Sequence, residues 1–247
     1  MEEKTLRWGD RLYRLFLVWY ACGIVLVGFQ LLPPWLEWAN VVFLMLAGAI
    51  GASFLWEAYG RRGVIATVSI FIGTIAVEYV GATYSFIFGS YDYTNQFGLT
   101  LFGVPIAIGF AWLAVIGCTH ALALRFVSRN RPLLSASVGA LLAVVLDLVI
   151  DPVAYVAKQY WIWEETSIYY NVPLQNFLGW FIVAFVIHFI LFMFPVRKAS
   201  SERKAVSLFF LLEAMFLFIA LMEKLYLAFF LGLLLTLFIF LKWRRLT

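Results

Sequence analysis

Charge is scarce in this chain of 247 residues: Asp, Glu, Lys and Arg together make up 13% of it, about half the share usual in soluble domains. Cysteine and histidine are rarer still, with two of each, and only seven prolines punctuate the sequence. So few charges exclude a soluble enzyme, a nucleic-acid binder and a disordered chain. Cys22 and Cys118 lie in separate apolar runs without metal-ligand spacing, which makes them small packing residues rather than a disulfide or a metal site. What fills the chain instead is hydrophobic (64%) and aromatic (19%). Such a composition is that of an integral membrane protein. The amino-terminal stretch is basic, but no small-residue cleavage site follows before Pro33-Pro34, so the first apolar run is expected to be a retained helix.

A spanning helix needs about 17–25 mostly apolar residues. Eight runs qualify: Leu12–Leu32, Trp38–Trp56, Gly63–Gly81, Gly103–Phe126, Leu133–Val149, Phe177–Phe194, Val206–Met222 and Leu225–Leu241. Only Glu223-Lys224 separates the last two. One helix through both would be about 54 Å long, well beyond the ~30 Å hydrocarbon core, so a tight hairpin is predicted there. The cations fit this count. Lys4, Arg7, Arg11 and Arg14 precede span 1, Arg61 and Arg62 follow span 2, and Arg125, Arg129 and Arg131 follow span 4. Arg197, Lys198, Arg203 and Lys204 follow span 6, and Lys242, Arg244 and Arg245 follow span 8, leaving only Lys158 and Lys224 on the other side. Cytoplasmic loops collect Lys and Arg. Both termini are therefore expected in the cytoplasm, with the protein in the plasma membrane as a single transmembrane domain over residues 1–247. Small residues in span 2 (Ala47, Gly48, Gly51, Ala52, Ser53) and span 5 (Ser135, Ser137, Gly139, Ala140, Ala143) suit close helix packing.

Two long segments on the side opposite the termini resemble each other. Glu78 is followed by Tyr91-Asp92-Tyr93, Val104-Pro105 and Trp112; Asp147 is followed by Trp161-Ile162-Trp163, Val172-Pro173 and Trp180. Proline to tryptophan is seven residues in both. Pro105 and Pro173 are expected to open spans 4 and 6. Spans 3–4 and 5–6 then form two helical hairpins in parallel repeat, related by an axis along the membrane normal, and such repeats share a site at their interface.

Ionisable groups within a membrane are costly and by default functional. Counted along their helices, Glu78 and Asp147 reach the same depth, roughly 22 Å from the basic side, and Asp151 lies one turn beyond Asp147 on the same face. The three carboxyls are expected to converge beneath the aromatic loops, where a carboxyl kept from water can stay protonated and serve as a general acid. The bland alternative is that they cap helices or bind loop amides. Elsewhere, Glu57 is expected to pair with Arg61 and Arg62, and Glu213 with His188. His120 and His188 show no fixed spacing that points to haem or another metal. Tyr91, Tyr93, Trp112, Tyr160, Trp161, Trp163, Tyr169, Tyr170 and Trp180 cluster toward the loop side. Some belong to the interfacial aromatic belt, while others offer faces that hold a cation in a dry site.

The stretch from Glu78 to Trp180 resembles the membrane carotenoid hydratases of the bisanhydrobacterioruberin hydratase type. The resemblance rests on Glu78-Tyr-Val-Gly81, Phe88-Gly-Ser-Tyr-Asp-Tyr93, Gly103-Val-Pro105 through Trp112, Asp147-Leu-Val-Ile-Asp151-Pro152, Tyr160-Trp-Ile-Trp163, and Tyr169-Tyr-Asn-Val-Pro173-Leu-Gln-Asn176-Phe-Leu-Gly179-Trp180. It departs at Tyr84-Ser85, Ile87 and Asn171, where the family tends to Thr-Gly, Pro and Gly. The resemblance implies a hydro-lyase of carotenoid biosynthesis that adds water across the terminal double bond of an acyclic carotenoid, without metal or redox cofactor. Residues 78–180 would form its catalytic core. Asp147 or Asp151 would then be the acid and Glu78 the base, or the reverse. Tyr91, Tyr93, Trp112, Trp161, Trp163, Tyr170, Asn176 and Trp180 would line the substrate. The expected partners are the carotenoid, membrane lipid and other enzymes of the pathway, with no nucleic acid. A carotenoid cyclase would use the same protonation but quench the cation internally. A prenyltransferase would need aspartate-rich magnesium sites with basic partners, and a proton-coupled transporter would want helices broken at mid-depth.

Overall fold

The computed structural model describes residues 2–197 and 199–246, with side chains from residue 8 onward. Lys198, and the side chains of Lys4 and Arg7, lie outside the described residues, so their share of the basic clusters is read from sequence alone. Eight helices are long and apolar enough to cross a membrane: α1 (Glu2–Gly28), α2 (Trp38–Tyr59), α3 (Arg61–Tyr84), α4 (Ile106–Phe126), α5 (Pro132–Pro152), α6 (Leu174–Phe192), α7 (Glu202–Met222) and α8 (Tyr226–Arg244). The chain is an all-α polytopic membrane protein. Its only strands among the described residues are short: β1 (Tyr91–Tyr93), β2 (Thr100–Leu101), β3 (Val104–Pro105) and β4 (Trp161–Trp163).

The helix boundaries follow local chemistry. Gly60, in a left-handed conformation (φ 62°) open to a residue without Cβ, turns the chain between α2 and α3. Pro105 and Pro173 occupy the cap positions just ahead of α4 and α6, where a missing N–H costs nothing. The predicted break after Met222 is present: Lys224 turns left-handed (φ 61°) and the Leu225 amide donates to Ala220 O at 2.8 Å. On the basic side, the expected Glu57 ion pair with Arg61 and Arg62 does not form. Glu57 instead accepts from Ser200 Oγ (2.7 Å) and the Ser201 amide (3.0 Å). The start of α7 lies there, its free amides and positive dipole end attracting the carboxylate more than flexible arginines do.

Helix α4 is the centre of the bundle, with 83% of its apolar window buried against 17% for α1 and for α8. It lies against α2 along a glycine seam. A Cβ on Gly48 would stand 2.6 Å from Phe110 O, and one on Gly51 or Gly117 would collide with Leu113 O or Gly51 Cα. The small residues of span 2 thus act as a backbone-to-backbone contact, which compensates in dispersion for the lack of a hydrophobic drive between helices in lipid. Gly117→Val is expected to cost about 1–3 kcal/mol or more and to lower the monodisperse yield in detergent. Gly73→Val should not, because nothing lies within 4 Å of its Cβ position.

The two hairpins α3–α4 and α5–α6 meet through equivalent residues. Strands β1 and β4 pair antiparallel, with Tyr91 opposite Trp163, Asp92 opposite Ile162 and Tyr93 opposite Trp161. Deeper, Trp112 stacks on Trp180, with centroids 4.3 Å apart and an interplanar angle of 21°. Deeper again, His120 stacks on His188 at 5.2 Å and 9°. The expected partnership of His188 with Glu213 is therefore replaced by a histidine pair. Their Nδ1 atoms are 3.0 Å apart, Tyr59 Oη lies 2.6 Å from His120 Nε2, and Thr119 Oγ1 lies 3.1 Å from His188 Nε2. Thr119 in turn donates to Val115 O at 2.7 Å. One direction satisfies every group: Tyr59 donates to His120, His120 to His188, His188 to Thr119. Glu213 is fully enclosed, and neither of its oxygens meets hydrogen-bond geometry with a partner among the described residues, Thr236 being the polar side chain that neighbours it.

Candidate active site

The site lies where the two loop segments cross above the helix ends. A strand alternates its side chains between faces, so Tyr91 and Tyr93 share one face of β1 and Trp161 and Trp163 share one face of β4. Antiparallel pairing then brings all four rings together over the helices, with Tyr91 5.0 Å from Trp163 and Tyr93 6.2 Å from Trp161. Asp92 and Ile162 face the other way and are exposed. The second segment reaches this position through a π-helical turn at Val153–Ala157, directly after Pro152, closed by Lys158 N to Val153 O at 3.1 Å. Such turns reset the side-chain phase of a helix and recur at functional sites.

Each carboxyl is bound by side chains of its own hairpin. Glu78 Oε2 accepts from Tyr91 Oη (2.7 Å) and Tyr93 Oη (2.8 Å), and its Oε1 accepts from Trp112 Nε1 (2.9 Å). Burial, reinforced by the Glu78 charge, pushes both phenols well above the ordinary tyrosine range, so they act as donors at all physiological pH. Asp151 Oδ1 accepts from Trp161 Nε1 (2.9 Å) and Trp163 Nε1 (3.1 Å). Asn176, in the first turn of α6, spreads its amide between Asp147 Oδ2 (2.8 Å) and Asp151 Oδ2 (2.6 Å). All three carboxyls are buried. None of them caps a helix or takes a loop amide, so the bland alternative does not describe them. Their donors are indole, phenol and amide groups, with no lysine or arginine among them.

A cavity enclosing about 1100 Å³, mouth included, opens between the hairpins and α1, α2 and α7. Glu78, Asp151 and Asn176 face it together with Tyr91, Tyr93, Trp112, Trp161, Trp163 and Trp180. The remaining wall is largely apolar, with Phe43, Leu44, Val115, Leu212, Met215 and Phe216 among it. Two of the residues singled out in the sequence are placed otherwise. Asp147 stands behind Asn176 rather than on the cavity wall. Tyr170 lies away from it, its hydroxyl accepting from the amides of Leu227 (3.0 Å) and Ala228 (3.3 Å) at the start of α8. Besides the apolar wall, the lining residues that the sequence reading did not name as site residues include Phe97, Tyr160, Asn40 and Lys158. Tyr160 carried a signal, being in the aromatic cluster, whereas Asn40 is a lone polar residue at the start of α2 with nothing local to mark it. No three His, Cys, Asp or Glu side chains group as a metal-binding set among the described residues.

Residues 39–240, which include the three carboxyls and all of their hydrogen-bond donors, match the family described as carotenoid biosynthesis protein. The chain is 29% identical over 164 residues to the bisanhydrobacterioruberin hydratase of Haloarcula japonica, an alignment covering 65% of this chain and 55% of that protein. It thus spans about half the length of this curated relative. No solved structure gives a significant match. With the match running from α2 to α8 through both hairpins, the chain belongs to the carotenoid biosynthesis protein family.

Proposed function

We propose that the chain is a carotenoid hydratase, a hydro-lyase that adds water to the terminal carbon–carbon double bond of an acyclic carotenoid. The observation that carries this reading is the convergence of Glu78 and Asp151, one from each hairpin, on a single aromatic cavity, with Asp147 joined to Asp151 through Asn176. The resemblance to a hydratase supports the reaction type.

The polyene end lies among the rings of the cavity. Two carboxyls held on one amide cannot both ionise without strong mutual repulsion, so the Asp147–Asp151 pair keeps a proton. Asp151, on the cavity wall, delivers it to the terminal alkene carbon. The tertiary cation that forms is stabilised by the faces of Trp112 and Trp180. Glu78, fixed by three donors as an acceptor, takes a proton from the attacking water as the carbon–oxygen bond closes. The product is a tertiary alcohol, and proton exchange between the carboxyls resets the site. Both termini lie in the cytoplasm in this reading, on the asymmetry of Lys and Arg.

Expression in cells that accumulate lycopene or a shorter acyclic carotenoid tests it. The expected result is a more polar pigment heavier by one water per modified end. A product of unchanged mass would indicate cyclisation or isomerisation, and an unchanged pigment would remove the hydratase reading.

A further inference from the structure

A hydratase with so apolar a cavity needs a way in for water that its substrate does not use. On the loop side the wall has a further polar section, apart from the carboxyls and their donors. Asn40 Nδ2 donates to Glu37 Oε2 (2.6 Å) and to Tyr160 Oη (2.8 Å), and Lys158 Nζ reaches Glu37 Oε1 at 3.4 Å. These contacts join the start of α2 to the end of the π-helical turn. Asn40, Lys158 and Tyr160 all line the cavity, while the side chains of Lys158 and Glu37 are 20% and 35% exposed. The cluster therefore touches both the outside and the interior.

Its hydrogen-bonding capacity is incomplete. Both Asn40 amide hydrogens are used, but Asn40 Oδ1 has no donor among the described residues. Tyr160 accepts from Asn40, and its own hydroxyl hydrogen has no acceptor among them. Burial pushes the Tyr160 phenol above the ordinary tyrosine range, so that hydrogen stays in place. A free acceptor and a free donor side by side on a cavity wall match the needs of a water molecule, which accepts and donates. Tyr160, Phe97 and Asp151 line the same cavity, with Phe97 stacked on the Tyr160 ring at 4.1 Å and the indole of the next residue, Trp161, holding Asp151.

We propose that Asn40, Tyr160, Glu37 and Lys158 form the port through which water enters the cavity from the loop side to reach the carboxyls. The proposal rests on the hydratase reading. The carbon–oxygen bond forms from the oxygen lone pair of this water, and one of its protons leaves to a carboxylate. When water arrives too slowly, the same cation loses a neighbouring proton to that carboxylate, directly or after ring closure, giving a product of unchanged mass.

The test compares products of the full-length protein in carotenoid-producing cells, with the quantity of folded protein checked by chromatography in detergent. Asn40→Leu is expected to lower the ratio of hydrated to unchanged-mass product about tenfold, the loss of a well-placed water bridge, and Asn40→Ser to restore most of it. Should Asn40→Leu fail to fold, Tyr160→Phe, which removes only the hydroxyl, decides the matter with the same expected direction. A wild-type product ratio in the folded Leu variant, or in Tyr160→Phe, overturns the port while leaving the hydratase reading intact. Absence of hydrated product from the wild type overturns both.

Discussion

Asp151→Asn is expected to reduce formation of hydrated carotenoid by about 10²–10⁴-fold, the range removed with a general acid. The substitution is nearly isosteric. An amide oxygen can still accept from Trp161 and Trp163, which hold Asp151 Oδ1 at 2.9 and 3.1 Å, so the aromatic cluster has reason to stay assembled. What disappears is the proton. The new amide also faces Asn176 with donor against donor, which separates Asp147 from the cavity chemistry. Glu78→Gln is expected to lose activity on the same scale, since a neutral amide cannot take the proton from water. Asp92→Asn, on the exposed face of β1, serves as control and should leave product formation unchanged. Pigment mass per unit of folded protein is the measurement. Activity near wild type in Asp151→Asn would remove this residue from the mechanism.

The second large effect concerns stability below the site. His120 and His188 are fully buried and spend all their ring nitrogens on one chain from Tyr59 to Thr119. Replacing either with Leu leaves the other histidine with an unsatisfied buried nitrogen, at about 1–3 kcal/mol for each orphaned group. The double change to Leu removes both partners of the central bond, so it should cost clearly less than the two single changes added together. Thermal denaturation in detergent reads this directly. Simple additivity would mean that the two rings are not coupled. Because the pair lies eight residues below Trp112 and Trp180 on α4 and α6, loosening it is also expected to widen the tryptophan stack and lower activity in the single variants.

Much of this architecture was legible in the residues. Runs of apolar residues and the sidedness of Lys and Arg locate all eight helices, because the bilayer imposes both length and charge bias; their ends fall within a few positions except at α1, which begins ten residues before the expected Leu12. The hairpin at Glu223-Lys224 follows from length alone. That Glu78 and Asp151 face one cavity follows from depth counting joined to the internal repeat, whereas the same reasoning does not show that Asp147 stands behind Asn176. The strand pairing that positions their donors is harder to see, since three residues of alternating pattern are too short a signal in so aromatic a chain. The histidine pair was visible in principle. His120 and His188 are separated by the same 68 residues as Pro105 and Pro173, or Trp112 and Trp180, so the repeat itself makes them equivalent and places them face to face. Depth matching alone joined His188 to Glu213 instead. Glu57 was misread for a different reason: sequence neighbours were preferred over a helix start 144 residues away, although backbone amides hold a carboxylate at lower entropic cost than surface arginines. Tyr170 shows the limit of composition, for an aromatic residue between Trp163 and Asn176 can equally well serve as a cap for α8.

The central claim is that the buried carboxyls deliver a proton to carbon and water then supplies the oxygen. Purified protein in detergent or vesicles, given an acyclic carotenoid in deuterated water enriched in oxygen-18, tests this most directly. The account predicts one deuterium on carbon and one heavy oxygen in the hydroxyl for each end modified, with neither label incorporated by Asp151→Asn. Label incorporation at the wild-type rate in a folded Asp147→Asn, Asp151→Asn double variant would contradict it.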